Sequence, residues 1–283
     1  MRTARVVVGI DGSPPSRLAL RRAAAEAVRR GVALHIVNSH SGSWPGDEVS
    51  HLRAQEAGQK LVARAIEEAR SDEPGVEVTG ASVPGGAAKA ILDAAEPGDL
   101  VVVGSRGHSA LAAATTGSTC QQVATHANTS VLVVQGRPDP GDGPVVVGHD
   151  GSAGADGVLE AAFAAAAARD TGLTVMRAFH RATPVLPADA PPPKVFNART
   201  AQASLTDELT RLTRPLSDKY PDVDVKVVVA DGDAAQLLVD ASHRAQLVVV
   251  GSRGHGGFAS LLLGSVGMHL IHHAHCPVLV ARG

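Results

Sequence analysis

One glycine pattern occurs twice in this chain of 283 residues, and it limits the fold more than any other feature. Gly104-Ser105-Arg106-Gly107 is followed nine residues later by Gly117-Ser118. Gly251-Ser252-Arg253-Gly254 is followed, at the same spacing, by Gly264-Ser265. Each copy leaves an unbroken apolar run (100–103 or 247–250) and precedes a helix-forming stretch and a second apolar run (131–134 or 278–281). Glycines let a backbone approach a ligand closely, and the free N–H groups at a helix start point toward negative charge. The pattern predicts a nucleotide-phosphate site in each half.

A second repeat confirms that the chain is duplicated. Val6-Val7-Val8-Gly9-Ile10-Asp11-Gly12-Ser13 returns as Val145-Val146-Val147-Gly148-His149-Asp150-Gly151-Ser152 at an offset of 139, with Ile10/His149 the one difference. The glycine pattern repeats at an offset of 147, so the second half carries an insertion. It falls where residues 40–50 of the first half meet the longer, proline-rich 179–197 of the second, a loop position that leaves the core alone. Residues 135–143 read as a polar, turn-rich linker. The expected domains are 1–136 and 143–283.

Hydrophobic residues make up 44% of the chain, charged residues 19%, and the formal net charge is −2, an ordinary globular composition. Without a basic excess, and with aromatics at 2%, nucleic-acid binding is not expected. The longest run of small apolar residues, 161–168, falls far short of the ~20 residues a membrane span needs. Residues 1–5 lead straight into a strand and leave no room for a signal peptide, so a cytoplasmic location is the expectation, with Cys120 and Cys276 as free thiols.

The β-branched run at 5–10 reads as a strand covered on both faces. Asp11-Gly12-Ser13 breaks it, and Pro14-Pro15 opens a helix that Gly31 ends. Strands follow at 33–38, 76–83, 100–103 and 131–134, with helices at 51–70, 87–95 and 118–126. The second half repeats the series, with strands near 145–149, 173–178, 223–230, 247–251 and 277–281 and helices near 153–171, 199–219, 234–244 and 265–273. Strict alternation implies α/β architecture: two tandem, doubly wound, five-stranded parallel sheets with right-handed crossovers. In the Rossmann-like order 3-2-1-4-5 the winding reverses between strands 1 and 4, where ligands bind. Asp11 and the Gly104 arm, and likewise Asp150 and the Gly251 arm, then become neighbours.

A strand ending in Asp-Gly-Ser, together with Gly-x2-Gly-x9-Gly-Ser before the last helix, resembles the universal stress protein family, in the tandem form of actinobacterial members. The resemblance covers nearly the whole chain. It implies an adenine nucleotide alpha hydrolase-like domain that binds ATP, with Mg2+, in each half. It also implies dimers through the last strand and a role in stress or dormancy responses. Carried over by position, Asp11 and Asp150 would sit beside the adenosine and help place a metal. Backbone groups of Ser39 and Ala178 would meet the adenine edge, and Gly104 and Gly251 would pass under the ribose. Gly107 and Gly254 would turn the chain toward the phosphates, which Gly117, Ser118, Gly264 and Ser265 would hold. The first arm departs from the pattern: 112–116 replaces the apolar triplet Leu261-Leu262-Leu263.

Plainer readings stand beside these. Asp11 and Asp150, or Ser118 and Ser265, could be helix N-caps. Arg106, Arg253, His108 and His255 could be solvated arm residues rather than phosphate clamps or proton carriers. His269 and His273 have the i,i+4 spacing of a zinc pair, yet histidines in a last helical turn also suit the helix dipole. No P-loop, dinucleotide fingerprint or nucleophile elbow is present. With neither a general base nor a transition-state cation assignable, any ATP hydrolysis is expected to be slow. The alternatives are thus a slow ATPase or nucleotidyl-transfer enzyme and a nucleotide-free interaction module. The strand-5 runs lack protective charge and are expected to pair, between the halves or between chains in a homodimer.

Overall fold

The computed structural model describes residues 3–41, 48–105, 117–137, 141–152, 155–179, 198–254 and 263–282. The first half runs β1 (Val6–Gly9), α1 (Pro14–Arg30), β2 (Leu34–His40), α2 (Glu48–Asp72), β3 (Val78–Pro84), α3 (Ala87–Ala94), β4 (Leu100–Gly104), α4 (Ser118–His126) and β5 (Ser130–Val134). The second runs β6 (Val145–Gly148), α5 (Ala155–Ala167), β7 (Leu173–Phe179), α6 (Ala198–Lys219), β8 (Val225–Asp231), α7 (Ala234–Ser242), β9 (Leu247–Gly251), α8 (Ser265–His273) and β10 (Val278–Ala281).

Among the described residues, ten strands join one sheet in the order β3-β2-β1-β4-β5-β10-β9-β6-β7-β8. Each half is parallel in the expected 3-2-1-4-5 order, and the halves meet antiparallel where Leu279 faces Leu132. The two uncharged strand-5 edges have closed on each other within one chain, the first of the two expected pairings. The sheet therefore ends on β3 and β8.

Successive residues of a strand point to opposite faces, and here both faces are covered. Val6 and Val8 enter a core with Leu20, Leu34 and Phe163, while Val7 enters a second with Val101, Ile91, Leu270 and Ile271. Each core draws residues from both halves, so the apolar layers run unbroken across the β5/β10 seam.

Polar contacts cross the same seam in pairs. Just beyond β5, Gln135 donates from Nε2 to Leu270 O of α8 at 2.7 Å. At the matching place beyond β10, Arg282 donates to Ala124 O and Thr125 O at the end of α4, at 2.7 and 3.0 Å. Arg282 thus caps last-turn carbonyls of α4, while Leu270 O, which also accepts from Ala274 N at 2.9 Å, takes a second bond from the first lobe. The expected linker is anchored at its start, because Arg137 N donates to His275 O at 3.2 Å. Several element bounds shift by a few residues: α2 spans Glu48–Asp72 rather than 51–70, β3 Val78–Pro84 rather than 76–83, and α5 Ala155–Ala167 rather than 153–171.

Candidate functional site

Beyond β6 the chain turns through Asp150-Gly151-Ser152. Asp150 Oδ1 accepts from Ser152 N at 2.9 Å, and Gly151 takes a φ of 82°, a left-handed value that favours glycine. The first lobe repeats the turn, with Ser13 N donating to Asp11 Oδ1 at 2.9 Å and Gly12 also at φ 82°. The aspartates are therefore turn-formers and not N-caps. Ser13 caps α1, its side chain accepting from Ser16 N.

The spacing of the glycine pattern has a structural reason. Gly264 N donates to Ser252 O at 2.8 Å and Gly117 N to Ser105 O at 2.7 Å, so each arm is pinched at its base. The glycine then serves as N-cap of α8 or α4, with no side-chain cap bond in either. Ser118 and Ser265 are the first helical residues, which corrects the N-cap reading for them. The first amide groups of both helices are without an intrahelical acceptor. Gly264 has φ −71°, so its place is not set by a left-handed backbone.

Asp150, Ala178, Gly251, Gly254, Gly264 and Ser265 all line one cavity of about 660 Å3 in the second lobe. In the first lobe, Asp11, Ser39, Gly104, Gly117 and Ser118 line a cavity of about 200 Å3. Gly107, Arg106, His108 and His255 lie outside the described residues. The acidic turn and the glycine arm thus share a crevice in both lobes, at the carboxyl ends of strands 1 and 4.

Two polar wall residues of the larger cavity were not singled out from the sequence as site residues. Arg177, on β7, lines the larger cavity and pairs with Glu208 of α6 at 3.1 Å. Its signal was a cation inside an otherwise uncharged strand. His149 is buried, and its Nδ1 accepts from Gly151 N at 3.1 Å, which leaves the proton on Nε2. Burial lowers its pKa and Asp150 opposes the shift, so the ring is neutral near pH 7. Its signal was the single mismatch in the repeated Asp-Gly-Ser segment.

The histidine group at the chain end does not make a transition-metal centre among the described residues. The His269 and His273 rings lie 4.4 Å apart between centroids, and Cys276 is buried, its thiol pushed up to about 12. Cys120 is also a free, buried thiol. No helix among the described residues is long and apolar enough to cross a membrane.

The universal stress protein family model matches residues 3–135 and 143–282. The chain is 36% identical to the universal stress protein Rv1996 of Mycobacterium tuberculosis, over 98% of this chain and 94% of that one. It is 33% identical to Rv2005c of the same organism, over 98% and 96%. The crystal structure of a universal stress protein from Archaeoglobus fulgidus shares the fold, with a TM-score of 0.74 at 17% identity and 99% coverage of both chains.

Proposed function

The chain belongs to the universal stress protein family, in tandem form, and from that membership we propose that its second-lobe cavity binds an adenine nucleotide, ATP with Mg2+, whose occupancy serves as a signal in a stress or dormancy response. The observation that carries the reading is the meeting of an acidic turn, a glycine arm and an uncapped helix start around one cavity. Its volume of about 660 Å3 lies within the roughly 300–1,000 Å3 of ligand pockets.

The residues divide by chemistry. The first amides of α8 and the Ser265 hydroxyl suit phosphate oxygens, each helix-end interaction contributing about 0.3–1 kcal/mol. Val158, Leu237 and Leu238 offer apolar walls to a base, at about 25 cal/mol per Å2 buried. Such contributions together support micromolar affinity. Asp150, the one carboxylate among the described residues lining the cavity, fits the ribose hydroxyls and is the residue that would hold Mg2+, an oxygen-seeking cation. Bound Mg2+ would neutralise charge on the phosphates.

A cytoplasmic location and a homodimer belong to the same proposal. With β5 and β10 already paired inside the chain, the dimer would use a surface other than those edges.

Isothermal titration with ATP, ADP, AMP, cyclic AMP and GTP tests the reading, alongside mass spectrometry of ligand released from denatured protein. Adenine nucleotides are expected to bind at micromolar levels and GTP at least tenfold more weakly. No adenine-nucleotide binding, or equal binding of GTP, would overturn it.

A further inference from the structure

We infer that the two pockets are unequal and that the second lobe alone takes a nucleotide, one per chain. The inference rests on the nucleotide reading above and concerns where that ligand sits. The two lobes share one backbone frame, down to matching glycine torsions in the acidic turns and matching bonds at the base of each arm. Around these matching features the described side chains differ.

Three matched positions narrow the first pocket. Ser16 stands where the second lobe has Ala155, and its Oγ donates to Ser13 O at 3.0 Å and accepts from Asp11 N at 3.3 Å, filling the space beneath the acidic turn. Ile91 replaces Leu238 and presses more closely over Gly9 than Leu238 does over Gly148. Cys120, in the first turn of α4, replaces Gly267, which has no side chain at all. The cavity of about 200 Å3 lies below the roughly 300 Å3 at which ligand pockets begin.

Charge separates the pockets as well. Arg177 and Arg253 line the second. The counterpart of Arg177 is Asn38, which is buried, with Nδ2 donating to Ile10 O at 3.0 Å and Oδ1 accepting from Ser82 Oγ at 2.8 Å. Asn38 thus offers an anion no charge, and its amide is already engaged by Ile10 and Ser82. Arg106, the counterpart of Arg253, lies outside the described residues. Among the described residues lining the first pocket, Asp11 is the one charged group, so no described cation there faces a phosphate. The first lobe then serves as the fixed partner of the second, closing the β10 edge and bonding Leu270 O of α8.

The full chain titrated with ATP under native mass spectrometry gives the stoichiometry, and photolabelling with 8-azido-ATP followed by peptide mapping gives the location. One nucleotide per chain is expected, with label in peptides from 143–282. Two nucleotides per chain, or label within 3–135, would overturn the inference while leaving the nucleotide reading intact. No uptake in either lobe would remove the nucleotide reading and this inference with it. In a second arm, the triple variant Ser16→Ala, Ile91→Leu, Cys120→Gly is expected to raise the count to two. A folded triple variant that still binds one would overturn closure by these side chains.

Discussion

A β-carbon built on Gly254 would stand 2.9 Å from Asp150 Oδ2, so the glycine arm of the second lobe rests directly against the acidic turn. Such separations are not seen between real side chains, and either the arm or the carboxylate must move to admit a methyl group. Gly254→Ala is therefore expected to weaken nucleotide binding at least tenfold, about 1.4 kcal/mol, by parting the two halves of the site. Asp150 is half-buried, and its neighbourhood can relax, so unfolding by urea should change by less than about 1 kcal/mol. Unchanged affinity by isothermal titration would mean that this contact does not shape the pocket.

Gly264 sets the contrasting case. Its φ of −71° is open to any residue, and the nearest atom to an added β-carbon is Ser252 O at 3.7 Å. The protein without ligand has room for alanine, at a cost of about 0.5–1 kcal/mol for a poorer N-cap. A loss of ATP affinity of tenfold or more in Gly264→Ala would then report a methyl group meeting phosphate rather than a strained backbone. Equal affinities in the variant and the parent protein would remove Gly264 from the binding surface.

Much of this arrangement could be read from the chain. Alternating strand and helix, with the reversal it requires, placed Asp150 and Gly251 on one crevice, because parallel-sheet topology leaves few choices. The uncharged residues Val131, Val133, Val278 and Val280 marked edges that would not stay open. Contacts that depend on how two lobes dock could not be read in this way. Arg282 capping α4, and Glu26 meeting Arg169, pair residues that no local pattern links. The N-cap alternative does not hold at Asp11 for a local reason: the glycine turn carries the chain on, and the helix takes Ser13 as its cap.

The seam between lobes should be intolerant of charge. Val133 pairs with Val278 across the antiparallel join and is fully buried. Lysine there would place an ammonium group between two apolar layers without a counter-charge, an arrangement that destabilises by about 3–5 kcal/mol. Val133→Lys is expected to lose that much in urea unfolding, with a broadened transition if the lobes separate. Val280→Lys should behave alike, since Val280 pairs with Val131. Unaltered stability in both would contradict the intrachain pairing.

His149 should make stability depend on pH. Its folded-state pKa is lowered, chiefly by burial and further by Arg177, against raising contributions from Asp150, Asp156 and Glu208. The unfolded chain takes up the proton near pH 6.5 while the folded chain resists it. Stability is thus full above about pH 6.5 and falls as pH drops toward the folded value, by at most about 1.4 kcal/mol per pH unit for one proton. His272 and His275 are shifted in the same direction, so the comparison needs a variant. His149→Ile, which copies Ile10 of the first lobe, should flatten the curve below pH 6.5 relative to the parent protein. Superimposable curves would show that His149 titrates normally.

The charge cluster between α1 and the turn that follows α5 offers a test of how the lobes are held. Glu26 is 4% exposed and accepts hydrogen bonds from Arg29 at 3.2 Å and Arg30 at 3.4 Å, and from Arg169 of the other lobe. Three guanidinium groups thus gather on one buried carboxylate, and burial lowers the Arg169 pKa against the pull of Glu26. Glu26→Gln keeps the shape but removes the charge that neutralises them, with an expected loss of about 3–5 kcal/mol. Desolvating ions offsets most of what their pairing contributes, so replacing both partners of a buried pair is far milder than replacing one. The double variant Glu26→Leu, Arg169→Leu should therefore recover most of the stability lost in Glu26→Gln. A double variant less stable than Glu26→Gln would show that the cross-lobe ion pair holds the lobes more strongly than apolar packing could.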